Sequence, residues 1–176
     1  KRKKLFDEIT YKMLYPTGSQ PARLYGLPKM HKLKPGEKNP TLRPIVSSFM
    51  YLYLQTKYLN ELLTPLLAMK YCTKDTFTLI EDVQRGNISD KFMISFDIES
   101  LFTNVPLEET IDLAVDLIHK SKGNKFSRPQ LTKLFKYATS MTHFSFNGSI
   151  YDQVDGVAMG SPLGPTLANA FMGHHE

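Results

Sequence analysis

Leu52, Leu59, Leu62, Leu63, Leu66 and Leu67 recur at the spacing of one helical face, so residues 49–69 read as a helix with a kink at Pro65. Residues 74–85 read as a second helix, capped by Thr73 or Asp75 and stopped by Gly86. Pro106 suits the first turn of a third, through about Lys120, which places Ile111, Ala114, Val115 and Ile118 on one face and stops near Gly123. Ser127 can cap a fourth, to about Ser140, carrying Leu131, Leu134, Phe135 and Ala138. Residues 1–15 read as a short basic helix and 167–175 as the start of another.

Other stretches lack the helical period. Residues 16–44 are punctuated by Pro and Gly, which resist helices and favour turns between short strands near Ala22–Tyr25 and Leu42–Ser47. Phe92–Ile98 (FMISFDI) is almost continuously apolar up to Asp97 and reads as a strand. His143–Phe146 alternates, Asn147-Gly148 is a type I′ turn signal, and Ser149–Val154 returns, which predicts a hairpin. Residues 156–165 (GVAMGSPLGP) form a Gly/Pro-rich loop leading into the last helix. The order predicts an α+β fold, an antiparallel sheet packed on helices.

The chain has 176 residues, 41% hydrophobic and 22% charged, which is enough to bury a core. It begins with Lys1 rather than Met and reads as a piece of a longer chain. Residues 1–45 hold eleven Lys or Arg and three acids, and the remainder eleven and fourteen. A positive N-terminal lobe on a near-neutral body suits a polyanion, because phosphate contacts release counterions. Lys1–Lys4 taken alone reads as a solvated or targeting-type tail. A single cysteine, Cys72, excludes an internal disulfide and reads as a small buried apolar residue. No apolar run is long enough to span a bilayer.

Asp97 is the most informative residue. A carboxylate ending an apolar strand is costly to bury unless paired, hydrogen-bonded or metal-bound, and facing a cleft it suits Mg²⁺. Alone, its commoner role is a turn or helix cap. Glu99 could add a ligand, although a solvent-facing or structural role is the commoner one for such a Glu. Gly156, Gly160 and Gly164 permit unusual dihedrals, so their loop can approach a ligand closely. It is no Walker A loop, because no Gly-Lys-Ser/Thr occurs. Arg43, after a turn in the basic lobe, suits bidentate phosphate binding. His143, His174 and His175 lack HExxH spacing or cysteine support, which argues against zinc.

In combination these segments carry a resemblance. RLYGLPKMHK (23–32), LRPIVSS (42–48), ISFDIESLFTNVP (94–106) and GVAMGSPLGPTLANAFM (156–172) together resemble reverse transcriptases, in wording nearest the Penelope-like retroelement group. The resemblance runs from about residue 20 to the end. It implies a right-hand polymerase in three parts: a basic N-terminal segment (1–20), a fingers-like region (21–90) and a partial palm (91–176), truncated before the Asp-Asp hairpin and the thumb. It implies an RNA-directed DNA polymerase (a nucleotidyltransferase of a retrotransposon) that extends a DNA primer on an RNA template with dNTPs and two Mg²⁺ ions.

Residue by residue, Asp97 matches the first catalytic aspartate, a ligand of both metals, with the backbone carbonyl of Ile98 beside it. Arg43, helped by Lys29 or Lys32, matches the grip on the incoming triphosphate. Phe102 matches the steric gate that excludes a ribose 2′-OH, although an aromatic there reads by itself as core. Met159, Gly160, Ser161 and Pro162 match the loop against the nascent pair and template. Many relatives carry Pro-Gln where this chain has Ala158-Met159, so that side-chain hydrogen bond is absent.

One Asp cannot hold two ions in a catalytic geometry, so this piece alone is expected to be inactive. A nucleic-acid-binding remnant without catalysis is the alternative. An RNA-dependent RNA polymerase is a third reading, and Phe102 at the gate argues against it. Retroelement habit and Lys1–Lys4 imply an intracellular, nuclear site with no membrane partner.

Overall fold

The computed structural model describes residues 6–16, 20–47, 52–67, 73, 75–86, 90–140, 143–154 and 156–175. The Lys1–Lys4 run and Cys72 lie outside them. Seven α-helices and four strands are present among these residues: α1 (Glu8–Leu14), β1 (Ala22–Pro28), β2 (Leu42–Val46), α2 (Tyr53–Leu63), α3 (Thr76–Arg85), α4 (Leu101–Asn104), α5 (Leu107–Lys120), α6 (Arg128–Ser140), β3 (His143–Phe146), β4 (Ser149–Asp152) and α7 (Gly164–His175). The fold is α+β, as the pattern of elements predicts.

Local chemistry sets the helix boundaries. Asp75 caps α3, its carboxylate accepting from the Thr78 amide at 2.8 Å. At the start of α6 the Gln130 side chain accepts from the Ser127 amide at 2.8 Å, one half of a capping box. Pro65 does not kink a long helix. It sits in a short 3₁₀ turn, Thr64–Leu66, that follows α2. The helix ends there because Pro fills the first turn of a 3₁₀ segment easily but cannot donate within an α-helix.

Helices α2, α5, α6 and α7 bury a common core. Phe135, Leu59, Leu63, Leu131, Val115 and Leu167 are fully enclosed, with Leu163 and Val105 sealing the loops beside them. All four residues assigned to the inner face of α5, and all four assigned to that of α6, are buried. Each buried Val, Leu, Ile or Phe among them contributes about 1.5–3 kcal/mol on leaving water, which makes this face the main source of stability. Across the surface of the pair, Arg128 forms an ion pair with Asp116 on α5 and lies 3.9 Å from Asp112.

The four strands form one sheet in the order β2-β1-β3-β4. β1 pairs antiparallel with β2, from Leu24 opposite Val46 to Pro28 opposite Leu42. β3 and β4 form the predicted hairpin, with Asn147 and Gly148 both at positive φ as a type I′ turn demands. The junction between the two hairpins is parallel, Ala22 opposite Phe144 and Arg23 opposite Ser145, so the sheet is mixed rather than antiparallel. Two hairpins separated by a helical crossover can meet in either sense, and local sequence does not choose between them.

Residues 91–98 depart most from expectation. They form no strand, and Phe92 (96% exposed) and Phe96 (88%) stand in solvent. A strand exists only through its ladder, and no strand among the described residues pairs with this segment.

Candidate active site

The junction begins at the end of β2. The Val46 amide donates to the Met159 carbonyl at 2.9 Å, and the Ser47 amide donates to the Arg23 carbonyl at 2.9 Å. The Ser47 hydroxyl accepts from the Arg23 amide at the same distance, which fixes the end of β2 against the start of β1. Gly160 has a φ of +108°, and a Cβ there would lie 2.2 Å from the Val46 carbonyl oxygen. Only glycine fits both the dihedral and the space.

The same loop is held from its other side. The Val157 amide donates to the Phe102 carbonyl at 2.7 Å. Gly156 has a φ of +71°, and a Cβ on it would lie 2.7 Å from the Thr103 Cα. Gly164 needs no positive φ. It opens α7, with a Phe102 ring carbon 3.8 Å from where its Cβ would be. Inside the loop the Ser161 amide donates to Ala158 and the Gly164 amide to Ser161, each at 3.1 Å, two successive turns that carry the chain into α7. Residues 156–164 therefore bridge the end of β2 and α4, segments that lie more than fifty residues apart in the chain.

Between residues 98 and 101 the chain turns sharply. Ser100 adopts a left-handed conformation, φ +53°, at a cost of about 1–2 kcal/mol for a residue with a Cβ. Its carbonyl accepts from the Thr103 hydroxyl at 2.9 Å, and the Asn104 side chain donates to the Glu99 carbonyl at 3.1 Å. The sequence gives little sign of this turn, because Ser is not a usual left-handed residue.

The residues singled out in the sequence divide into three groups. Phe102, Met159, Ser161 and Pro162 are half-buried and Gly160 is exposed, all within the junction. Phe102 also packs against the helical core, so its ring serves the interior as well. Arg43 is exposed on β2 opposite Leu27. Lys29 lies two positions beyond Leu27, its amide donating to Thr41 at 2.8 Å, and Lys32 ends the 3₁₀ turn Met30–Lys32. These three cations therefore share the distal end of the β1–β2 hairpin. Asp97 and Ile98 form the third group. Asp97 is exposed, and no hydrogen bond or ion pair engages its carboxylate among the described residues, Arg43 included.

A free carboxylate beside a backbone carbonyl is a hard oxygen donor set suited to Mg²⁺. It is too small a set for two ions, and among the described residues no three His, Cys, Asp or Glu side chains gather at one point. The junction is closed rather than hollow. The crevice between Val46, Ser47, Tyr53, Ala158, Ser161 and Pro162 measures about 10 Å³, room for one water at most. A cleft of about 750 Å³ lies elsewhere, among α1, the end of α2 and the α5–α6 turn, and contains none of the residues above.

Comparison of the chain with protein-family models and with curated proteins finds no match. No helix among the described residues is long and apolar enough to cross a membrane.

Proposed function

We propose that the chain is the fingers and front palm of an RNA-directed DNA polymerase. The observation that carries this reading is the convergence of three distant motif segments on one junction: LRPIVSS through Val46, SLFTN through Phe102 and GVAMGSPLGP through Gly156 to Gly160. Four sequence motifs chosen only for their wording have no reason to touch. Three of them are joined by the short backbone hydrogen bonds Val46 to Met159 and Val157 to Phe102, each beside a glycine, Gly160 or Gly156, whose positive φ and close backbone neighbours leave no room for a Cβ.

The division of labour follows from the residue chemistry. Arg43, with Lys29 and Lys32 beside it, presents cations for the triphosphate of a dNTP, with the guanidinium suited to two oxygens at once. Phe102 would serve as the bulky group that excludes a 2′-OH. Met159 to Pro162 supply a stiff backbone for the new base pair and the template strand. Asp97 and the Ile98 carbonyl would hold Mg²⁺, which activates the primer 3′-OH and neutralises charge on the leaving pyrophosphate. Further carboxylates are needed for a second ion, so the 176-residue chain is expected to give no primer extension.

The test uses the parent polypeptide that contains these residues. It should extend a DNA primer on an RNA template in Mg²⁺. Asp97→Asn should lower the rate by about a thousandfold, equivalent to roughly 4 kcal/mol, while primer–template binding persists. Extension that survives this substitution overturns the assignment.

A further inference from the structure

The near-neutral charge of the chain after residue 45 conceals a segregation. From Leu117 to Tyr151 there is no Asp or Glu, and there are six cations: Lys120, Lys122, Lys125, Arg128, Lys133 and Lys136. An exposed helix face ordinarily alternates charges, because opposite signs at i,i+4 stabilise it. The outer face of α6 forgoes that support.

The structure divides the six cations. Lys120 lies 3.9 Å from Asp116, and Arg128 is committed to Asp116 and Asp112. Lys122, Lys133 and Lys136 make no ion pair among the described residues, while Lys125 lines the cleft beside α1 together with Asp7, on which its charge acts. Lys133 and Lys136 line a shallow cleft of about 490 Å³ along α6, together with Arg128, Pro129, Thr132 and Tyr137. Tyr137 is 39% exposed, and the Lys133 ammonium lies over its ring at 5.5 Å from the centroid, so one face is held by that cation and a stacking base would have to take the exposed remainder of the ring. Leu131, Leu134, Phe135 and Ala138 fix the opposite face of α6 in the core, which makes this a rigid platform.

We infer that the outer face of α6 is a second binding surface for single-stranded nucleic acid, separate from the cations of the β1–β2 hairpin. Lysines without an acidic partner beside a partly exposed aromatic ring match what a flexible polynucleotide offers, phosphates at intervals and bases that stack. A protein partner with an acidic face would satisfy the lysines but would not need the ring. An anionic bilayer would want apolar side chains next to the lysines, and the cleft supplies none beyond Pro129 and Tyr137. The inference does not depend on the polymerase reading, because α6 carries none of the motif residues.

Fluorescence anisotropy of labelled oligo(dT) with the full chain tests it across a salt series. Lys133→Gln/Lys136→Gln should weaken binding by on the order of tenfold at low salt and reduce the salt slope by about 1.4, two phosphate contacts on a single strand. Tyr137→Ala should weaken binding with the salt slope unchanged, since stacking releases no counterions. Circular dichroism separates these effects from unfolding, and the Gln substitutions keep the helix length and polarity. Affinity unchanged in both variants overturns the inference. So does binding lost only on substitution of Arg43, or preference for phosphatidylserine vesicles over oligo(dT).

Discussion

The amide of Val157 donates to the carbonyl of Phe102 at 2.7 Å, tying the glycine-rich loop to the turn that follows Asp97. Three residues later Gly160 lies against the Val46 carbonyl from the opposite side. The loop is thus clamped at both ends, and its position fixes the distance between the segment bearing Arg43 and the segment bearing Phe102.

Gly160→Ala should therefore be among the most disruptive small substitutions. The added methyl meets a backbone oxygen rather than a side chain that could rotate away, and φ is +108°. A loss of about 3 kcal/mol is expected. Gly148→Ala is the internal control, also at positive φ (+80°) but with nothing within 4 Å of the new Cβ. It should cost only about 1 kcal/mol, the left-handed penalty alone. Thermal melts of the two variants check this, and equal losses would contradict the clamp.

Phe102 faces two demands, packing in the junction and the role proposed for it beside the sugar. Phe102→Ala should lower stability by about 2 kcal/mol, less than for a fully enclosed ring because this one is only half-buried. In the parent polypeptide it should also raise ribonucleotide use relative to deoxyribonucleotide use. The ratio of kcat/KM for the two substrates is the readout, since lost stability alone lowers both together. An unchanged ratio would leave Phe102 as a core residue.

Much of the architecture was legible in the sequence because the signals are local. The inner faces of α5 and α6, the Asp75 cap and the Asn147-Gly148 turn each depend on residues within a few positions of one another. The parallel meeting of Ala22 with Phe144 depends on residues over a hundred positions apart and leaves no trace in any local period. The Phe92–Ile98 run announced that it was apolar, but not which strand would cover it. At the site, glycine identity flagged Gly156 and Gly160. The reason for them, the carbonyl of Val46 and the backbone of Thr103, became visible only once the chain was folded. The lysines of α6 leave no signal in the whole-segment charge, because it averages out against acids that fold elsewhere.

Tyr58 gives a pH dependence of defined sign. Its ring meets Phe6 at 6.2 Å and Phe126 at 6.5 Å, both edge-on. Burial there, and then the charge of Asp7, raises its hydroxyl above the ordinary 10.0. The folded state thus holds the proton more tightly than the unfolded chain does. Its contribution is complete below pH 10 and is lost as pH rises through the higher folded value. Melting temperature should fall more steeply above pH 10 than in Tyr58→Phe, which cannot ionise. Parallel alkaline profiles for the two proteins would mean that the hydroxyl is effectively solvated.

The segment before Asp97 offers a sharper test of the whole assignment. Phe92, Met93, Ile94 and Phe96 are all more than two-thirds exposed, an apolar patch that ordinary surfaces avoid. The isolated chain should bind an apolar dye such as ANS and associate at high concentration. Phe92→Ser/Phe96→Ser should reduce both effects while moving the melting temperature by no more than about 1 °C, because these rings bury almost nothing. A fall comparable to that of a core deletion would mean that the segment packs against the body of the chain in solution. Asp97 would then be drawn in with it and would lose the freedom to bind a metal on which its proposed role depends.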